Sequence, residues 1–195
     1  MEQSTATGQW IDSSDGRRWW FDAGATALDF MYTANFRTQF ESFIAQVDLT
    51  DWLADRFPVP LADIGERELA DARALRAALT TASVELARGY RPTPGDVDMI
   101  NLYAATPDIP PVLIGGSRRA GRSTARPAQA LSSMAREAVA MFSPERGDRV
   151  RQCAAPDCQL VFYDDSRAGS RRWCSMQRCG NRAKVRAHRE RASAH

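Results

Sequence analysis

The sequence predicts a mainly α-helical protein with small β elements: a helical N-terminal body over residues 1–148 and a compact C-terminal module over residues 149–195. Three observations lead there. Apolar residues recur at three- and four-residue spacing through residues 25–142, the mark of helices that bury one face. Proline, glycine and small polar residues punctuate those runs where helices start and stop. All four cysteines fall beyond residue 150 as two C-x4-C pairs, Cys153/Cys158 and Cys174/Cys179, with fifteen residues between the pairs.

Taken in order, residues 1–18 are polar and are expected to be loosely held. Arg18 to Phe21 reads as a short strand, with Trp19 and Trp20 as core or interface anchors rather than a stacking platform for bases. Ala25 to Phe36 reads as a helix with Leu28, Met31, Tyr32, Asn35 and Phe36 on one face. Asn35 is the odd polar member, either a hydrogen-bonded amide near the helix end or a ligand contact. Thr38 to Val47 continues in helical spacing through Phe40, Phe43, Ile44 and Val47. Thr50 is the expected N-cap of a short helix carrying Trp52, Leu53 and Phe57, ended by Pro58 and Pro60.

Asp63-Ile64-Gly65-Glu66 fits a capping box before a long helix from 66 to about 88. Its buried stripe is Leu69, Ala72, Leu75, Leu79, Ala82 and Leu86, and Gly89 offers the stop. Thr93-Pro94 opens the next helix, which should bury Val97, Ile100 and either Leu102 or Tyr103. Pro110 to Ile114 reads as a strand. Residues 115–124, GGSRRAGRST, form a glycine-rich loop with Arg118, Arg119, Arg122 and Arg126 in or beside it. The loop lacks a GxxxxGK[ST] phosphate cradle and is expected to be either a solvated hairpin tip or a wing touching a DNA backbone. Pro127 opens the last body helix, lined by Leu131, Met134, Ala138, Met141 and Phe142, and Ser143 to Asp148 is the linker candidate. No run approaches eighteen apolar residues, so no membrane partner is expected.

The module is too small to bury a self-sufficient core, and chains of that size lean on a metal or on disulfides. Two close cysteine pairs separated by a hairpin-sized insert are the layout of a structural four-cysteine zinc site. Binding such an ion is worth roughly 10–16 kcal/mol in finger peptides, enough to hold the segment folded. Disulfides are the alternative. Residues 1–20 lack the apolar segment of a secretory signal, so a reducing, cytoplasmic location is expected. A catalytic zinc fits less well, because four thiolates leave no open position for water. Leu160 to Tyr163 and Arg171 to Trp173 read as the two strands of a hairpin, and Asn181 to about Arg191 as a helix. Knuckle, hairpin, second pair and helix follow one another in a treble-clef-like order.

Charge is divided unevenly. Residues 1–150 carry a net charge of −4 and residues 151–195 a net charge of +6, which points the C-terminal end toward a polyanion. On a helix, Arg178, Arg182, Arg186 and Arg189 project within an arc of roughly 80°. Lys184, His188 and Arg191 form a second basic sector, and Arg171 and Arg172 precede the second pair as a candidate phosphate clamp. Guanidinium groups suit phosphate oxygens and guanine edges. Asn181 and Arg182 also have a structural reading, as braces of the knuckle.

Cys179-Gly180-Asn181-Arg182 spells the motif for which the CGNR zinc-finger family is named. Cys153 to Cys158 resembles that family's first knuckle, and Arg171 to Met176 resembles its approach to the second. In that family the finger usually follows an ABATE domain, labelled a stress-induced transcription regulator. Ala27 to Thr33 resembles the ABATE opening, near LDFxNT, with Tyr32 standing where Asn is usual. The resemblance implies a bacterial DNA-binding regulator with one structural zinc ion and a helical domain that senses a small-molecule effector or forms a homodimer. A protein-interaction adaptor and a thiol or zinc redox sensor are the other readings. An enzyme is not expected: the two histidines, His188 and His195, lie in the basic tail, away from any carboxylate or serine set.

Overall fold

The computed structural model describes residues 7–12, 16, 18–35, 40–57, 59, 61–111 and 124–193. Among them, α-helices dominate and every sheet is a two-stranded antiparallel pair. Strand β1 (Gln9–Asp12) pairs with β2 (Arg18–Phe21), followed by helix α1 (Thr26–Met31). Strands β3 (Ala34–Asn35) and β4 (Phe40–Glu41) form a second pair, and α2 (Gln46–Ala54), α3 (Glu66–Ala87), α4 (Pro94–Ala104) and α5 (Pro127–Met141) complete the body. The C-terminal part contains β5 (Val150–Gln152), β6 (Val161–Tyr163), a π turn (Met176–Gly180) and helix α6 (Asn181–Ser193).

Helices α3, α4 and α5 pack on one another, and α1 lies across α3 and α5. Fully buried Phe21, Phe30 and Phe43 fill the space beneath α1 and α2, each worth about 2–3 kcal/mol of transfer free energy. Phe162 of β6 is equally buried, and Val150, Val161, Cys153, Cys174 and Cys179 belong to the same continuous core as the body helices. Three polar links tie β6 to the body. Tyr163 N donates to Ala23 O at 2.7 Å. Tyr32 Oη donates to Val161 O at 2.9 Å and accepts from Val161 N at 2.7 Å. Gly24, at φ +83°, lets the chain pass Tyr163 so closely that a Cβ there would lie 2.4 Å from its carbonyl oxygen.

Helix α1 has no side-chain cap of its own. Glu137 of α5 supplies one from across the fold, accepting from Ala27 N at 2.7 Å and Thr26 N at 3.3 Å. Burial raises the Glu137 carboxyl above its ordinary range, against the pull of those two N–H groups. Asp29, fully buried in the same helix, accepts from Gly8 N and Ala23 N and so anchors the start of the β1–β2 hairpin. Burial pushes its carboxyl up to about 6. Arg56, stacked 3.8 Å over Trp52, closes the other side by donating to Gly8 O.

Several expectations are corrected by this arrangement. Residues 9–12 are ordered as β1, not part of a loose tail, because they pair with β2. Trp19 is half-buried, whereas Trp20 faces outward beside Trp10, their rings edge to face at 5.6 Å. The first helix stops at Met31 rather than running to 36: the Thr33 hydroxyl bonds Phe30 O, and the chain turns into the β3–β4 pair. The second expected helix is absent over Phe40–Glu41, where Glu41 is held by Arg76 of α3. Asp48 then accepts from Ile44 N and Ala45 N, starting α2 at Gln46, and Thr50 is an interior residue bonded to Gln46 O rather than an N-cap.

Helix α3 begins and ends as expected, with Glu68 accepting from Gly65 N and Gly89 at φ +81°, but Gly65 has no side chain to complete a capping box. On α4 it is Ile100 and Tyr103 that turn inward, while Val97 and Leu102 are exposed. Residues 143–149 are not a slack linker but a turn closed by Gly147 N to Ser143 O and Arg149 N to Arg146 O bonds. Phe36, Pro58, Pro60, residues 112–114 of the expected strand and residues 115–123 of the basic loop, with Arg118, Arg119 and Arg122, lie outside the described residues.

Tyr32→Phe keeps the ring's edge-to-face packing on Phe21 but strands both main-chain groups of Val161. We expect it to lower stability by about 2 kcal/mol, measured by denaturant unfolding of the full chain.

Candidate metal centre and basic groove

The first knuckle grows out of β5. Cys153 N donates to Leu160 O at 2.8 Å, and Cys158 N closes the intervening turn on Ala155 O at 3.0 Å. The expected hairpin is different in detail: β6 pairs with β5, not with Arg171–Trp173. Residues 171–173 run alongside as irregular chain because Arg171 N is taken by Asp164 Oδ2 and Arg172 O accepts from Ala154 N. Asp164, completely buried, also accepts from Ser166 N and Oγ, so it shapes the turn that delivers Cys174. Cys179 lies inside the π turn, two residues before the start of α6.

The four cysteine sulfurs converge to within 4.8 Å of one another, three of them on buried residues and Cys158 half-buried. Cys158 and Cys174 sulfurs are 3.8 Å apart, and Cys174 and Cys179 sulfurs 3.5 Å apart. A zinc ion holding four thiolates at about 2.3 Å in a tetrahedron needs sulfurs about 3.8 Å from one another, so the donor set fits the ion in kind, number and spacing. Two N–H groups already point at the sulfurs: Cys174 N lies 3.4 Å from Cys153 Sγ, and Arg182 Nη2 lies 3.2 Å from Cys179 Sγ. Such contacts favour thiolate over thiol.

Acid-base chemistry of the cluster points the same way. A hydrogen bond from the Cys174 thiol pulls Cys158 down to about 5. The same bond, with burial and the neighbouring negative sulfur, drives Cys174 far up, and burial raises Cys153. These three thiols cannot all ionise together unaided, and a dication is what allows it.

Around the sulfurs, arginines divide by task. Arg171, expected to clamp phosphate, instead donates to Asp22 O and Cys174 O at 2.8 Å each and to Trp173 O at 3.2 Å, with its guanidinium 4.2 Å over the Phe162 ring. It braces the second knuckle against the body, with its Nε and Nη2 donors committed to these carbonyls. Arg182 pairs with Asp157 at 2.8 Å as well as with Cys179, joining the two knuckles. Among the described residues the Asn181 side chain donates back to Gln177 O, at 3.3 Å. Arg172 is exposed beside Trp173.

One open groove lies along α6. It is lined by Arg178, Arg182, Arg186 and Arg189, the stripe read from helical spacing, and by Asp157, Glu190 and the body residues Arg18 and Trp19. Lys184 is exposed on α6 but does not line it. Arg178 stacks with its guanidinium 4.8 Å from the Trp19 ring centroid. Spacing alone could not disclose Arg18 and Trp19, because they reach the groove from a strand some 160 residues earlier.

For the metal centre, Arg182→Ala should weaken zinc binding by roughly 10-fold without abolishing it, measured by competition with a chromophoric chelator. Cys174→Ser should fall far below the one zinc per chain of the parent protein.

Two family descriptions match the chain. The CGNR zinc finger matches residues 149–192, and ABATE, "Putative stress-induced transcription regulator", matches residues 24–145. No curated protein matches it. The zinc-finger match and the sulfur cluster together make one structural zinc ion the cofactor of this chain. With the family description matched over more than half of its length, the chain belongs to the ABATE family and carries a CGNR zinc finger at its C-terminal end.

Proposed function

We propose that the protein is a bacterial transcription regulator that binds DNA through the groove along α6, with the zinc-held knuckles as the rigid support of that helix. One observation carries the reading: four arginines line a single groove on a helix whose first turn is tethered by a metal-site cysteine. A stripe of like charges repels itself unless an anion faces it, and a fixed support spares much of the entropy of ordering four long side chains at binding. Arg178, Arg186 and Arg189 are the phosphate or base contacts. Arg182 contributes charge while bracing the knuckle, Arg172 and Lys184 extend the positive surface at its flanks, and Arg171 is assigned to structure.

Among the described residues no helix is long and apolar enough to cross a membrane. A cytoplasmic location suits DNA binding, and the helical body is the part we assign to dimerisation or to sensing a stress-linked effector.

Fluorescence anisotropy with the zinc-loaded full chain and duplex DNA tests the proposal. Three phosphate contacts predict an affinity loss of roughly 40-fold between 50 and 200 mM salt. Arg186→Ala/Arg189→Ala should weaken binding at least tenfold at fixed salt. Absence of binding at low salt by the zinc-loaded protein refutes the proposal.

A further inference from the structure

We infer that the DNA-binding surface is composite: Arg18 and Trp19, on strand β2 of the N-terminal body, form the second wall of the α6 groove and act with its arginines on the same stretch of DNA backbone. The inference rests on reading that groove as a DNA interface and adds the body to it. Both residues line the groove, which therefore collects Arg18, Arg178, Arg182, Arg186 and Arg189 against Asp157 and Glu190. Asp157 is already neutralised by Arg182 at 2.8 Å, so the free surface is strongly positive. A polyanion is the occupant such a surface selects, and repeating phosphates suit its length along α6.

Trp19 gives the groove its order. Its half-buried ring packs 5.5 Å from that of fully buried Phe21, and it holds the Arg178 guanidinium at 4.8 Å. Arg178 stands next to Cys179 in the π turn, so the zinc site fixes its main chain while Trp19 fixes its side chain. A guanidinium carbon held over an indole ring leaves N–H groups for a phosphate oxygen, and less rotamer freedom remains to be lost when one binds. The β1–β2 hairpin is in turn anchored by Asp29 and Arg56 through Gly8. The body therefore supplies two interface groups on a buttressed strand.

The test compares single variants of the zinc-loaded full chain by anisotropy against one duplex over a salt series, with melting temperatures recorded alongside. Arg18→Ala should reduce affinity roughly 3–10-fold and lower the salt slope by about one. Trp19→Phe keeps a ring in place but weakens the stack on Arg178, and should lower affinity severalfold with the salt slope unchanged. Arg91→Ala, an exposed arginine of the body outside the groove, controls for loss of charge alone. If Arg186→Ala weakens binding while Arg18→Ala and Trp19→Phe match Arg91→Ala in affinity and slope, the composite surface is wrong and the α6 interface stands. If the parent chain itself fails to bind, the underlying reading fails first.

Discussion

Four sulfur atoms crowded within 4.8 Å of each other are the constraint on which the C-terminal quarter of this protein depends. Sulfurs at that spacing either share protons or share a metal, and only the metal satisfies all four at once. Everything positioned by them follows: the turn through Asp164, the irregular run through Arg172, the π turn at Cys179, and the first turn of α6. Helix α6 itself buries none of its residues, so it has no apolar face to hold it in place. Its orientation comes from its first turn, through Cys179 and the Arg182–Asp157 pair.

The same constraint reaches into the body, because the metal site and the helical core are one packed unit. Cys153, Cys174 and Cys179 lie in the core that also contains Phe21, Leu75 and Leu79. The Tyr32 ring is long enough to reach β6 and pair with both main-chain groups of Val161. Arg171 crosses the same junction toward Asp22 O. A shift of the body strand β2 would thus move one wall of the α6 groove relative to the other, a direct physical route by which events in the body could alter the interface.

How much of this was legible in the sequence depended on the range of the interactions involved. The zinc ligands were plain, since two cysteine pairs at close spacing carry their chemistry with them. Helices α3 and α5 were plain as well, because each repeats its apolar period over several turns and is bounded by local signals such as Gly89 and Pro127. The segment from Tyr32 to Ala45 misled for the opposite reason. Its spacing of Phe40, Phe43 and Ile44 imitates a helix, but Arg76, an α3 residue over thirty positions away, captures Glu41 and makes the β3–β4 pairing the better solution. Strand β5 was missed because three residues give no period, and its pairing with β6 reflects the tertiary fold rather than the turn residues between Tyr163 and Arg171. Arg171 and Arg172 look equivalent in sequence. Only the fold brings the carbonyls of Asp22 and Cys174 to the first and leaves the second exposed.

Hydrogen exchange of the full chain, read by mass spectrometry before and after removal of zinc by a chelator, tests the central claim most directly. The account predicts that protection is lost throughout residues 150–180 and at the first turn of α6. It also predicts that the loss extends to residues 23–33, which share hydrogen bonds with β6, while the interior of α3 keeps its protection. Unchanged protection across residues 150–180 in protein verified to be free of metal would contradict it.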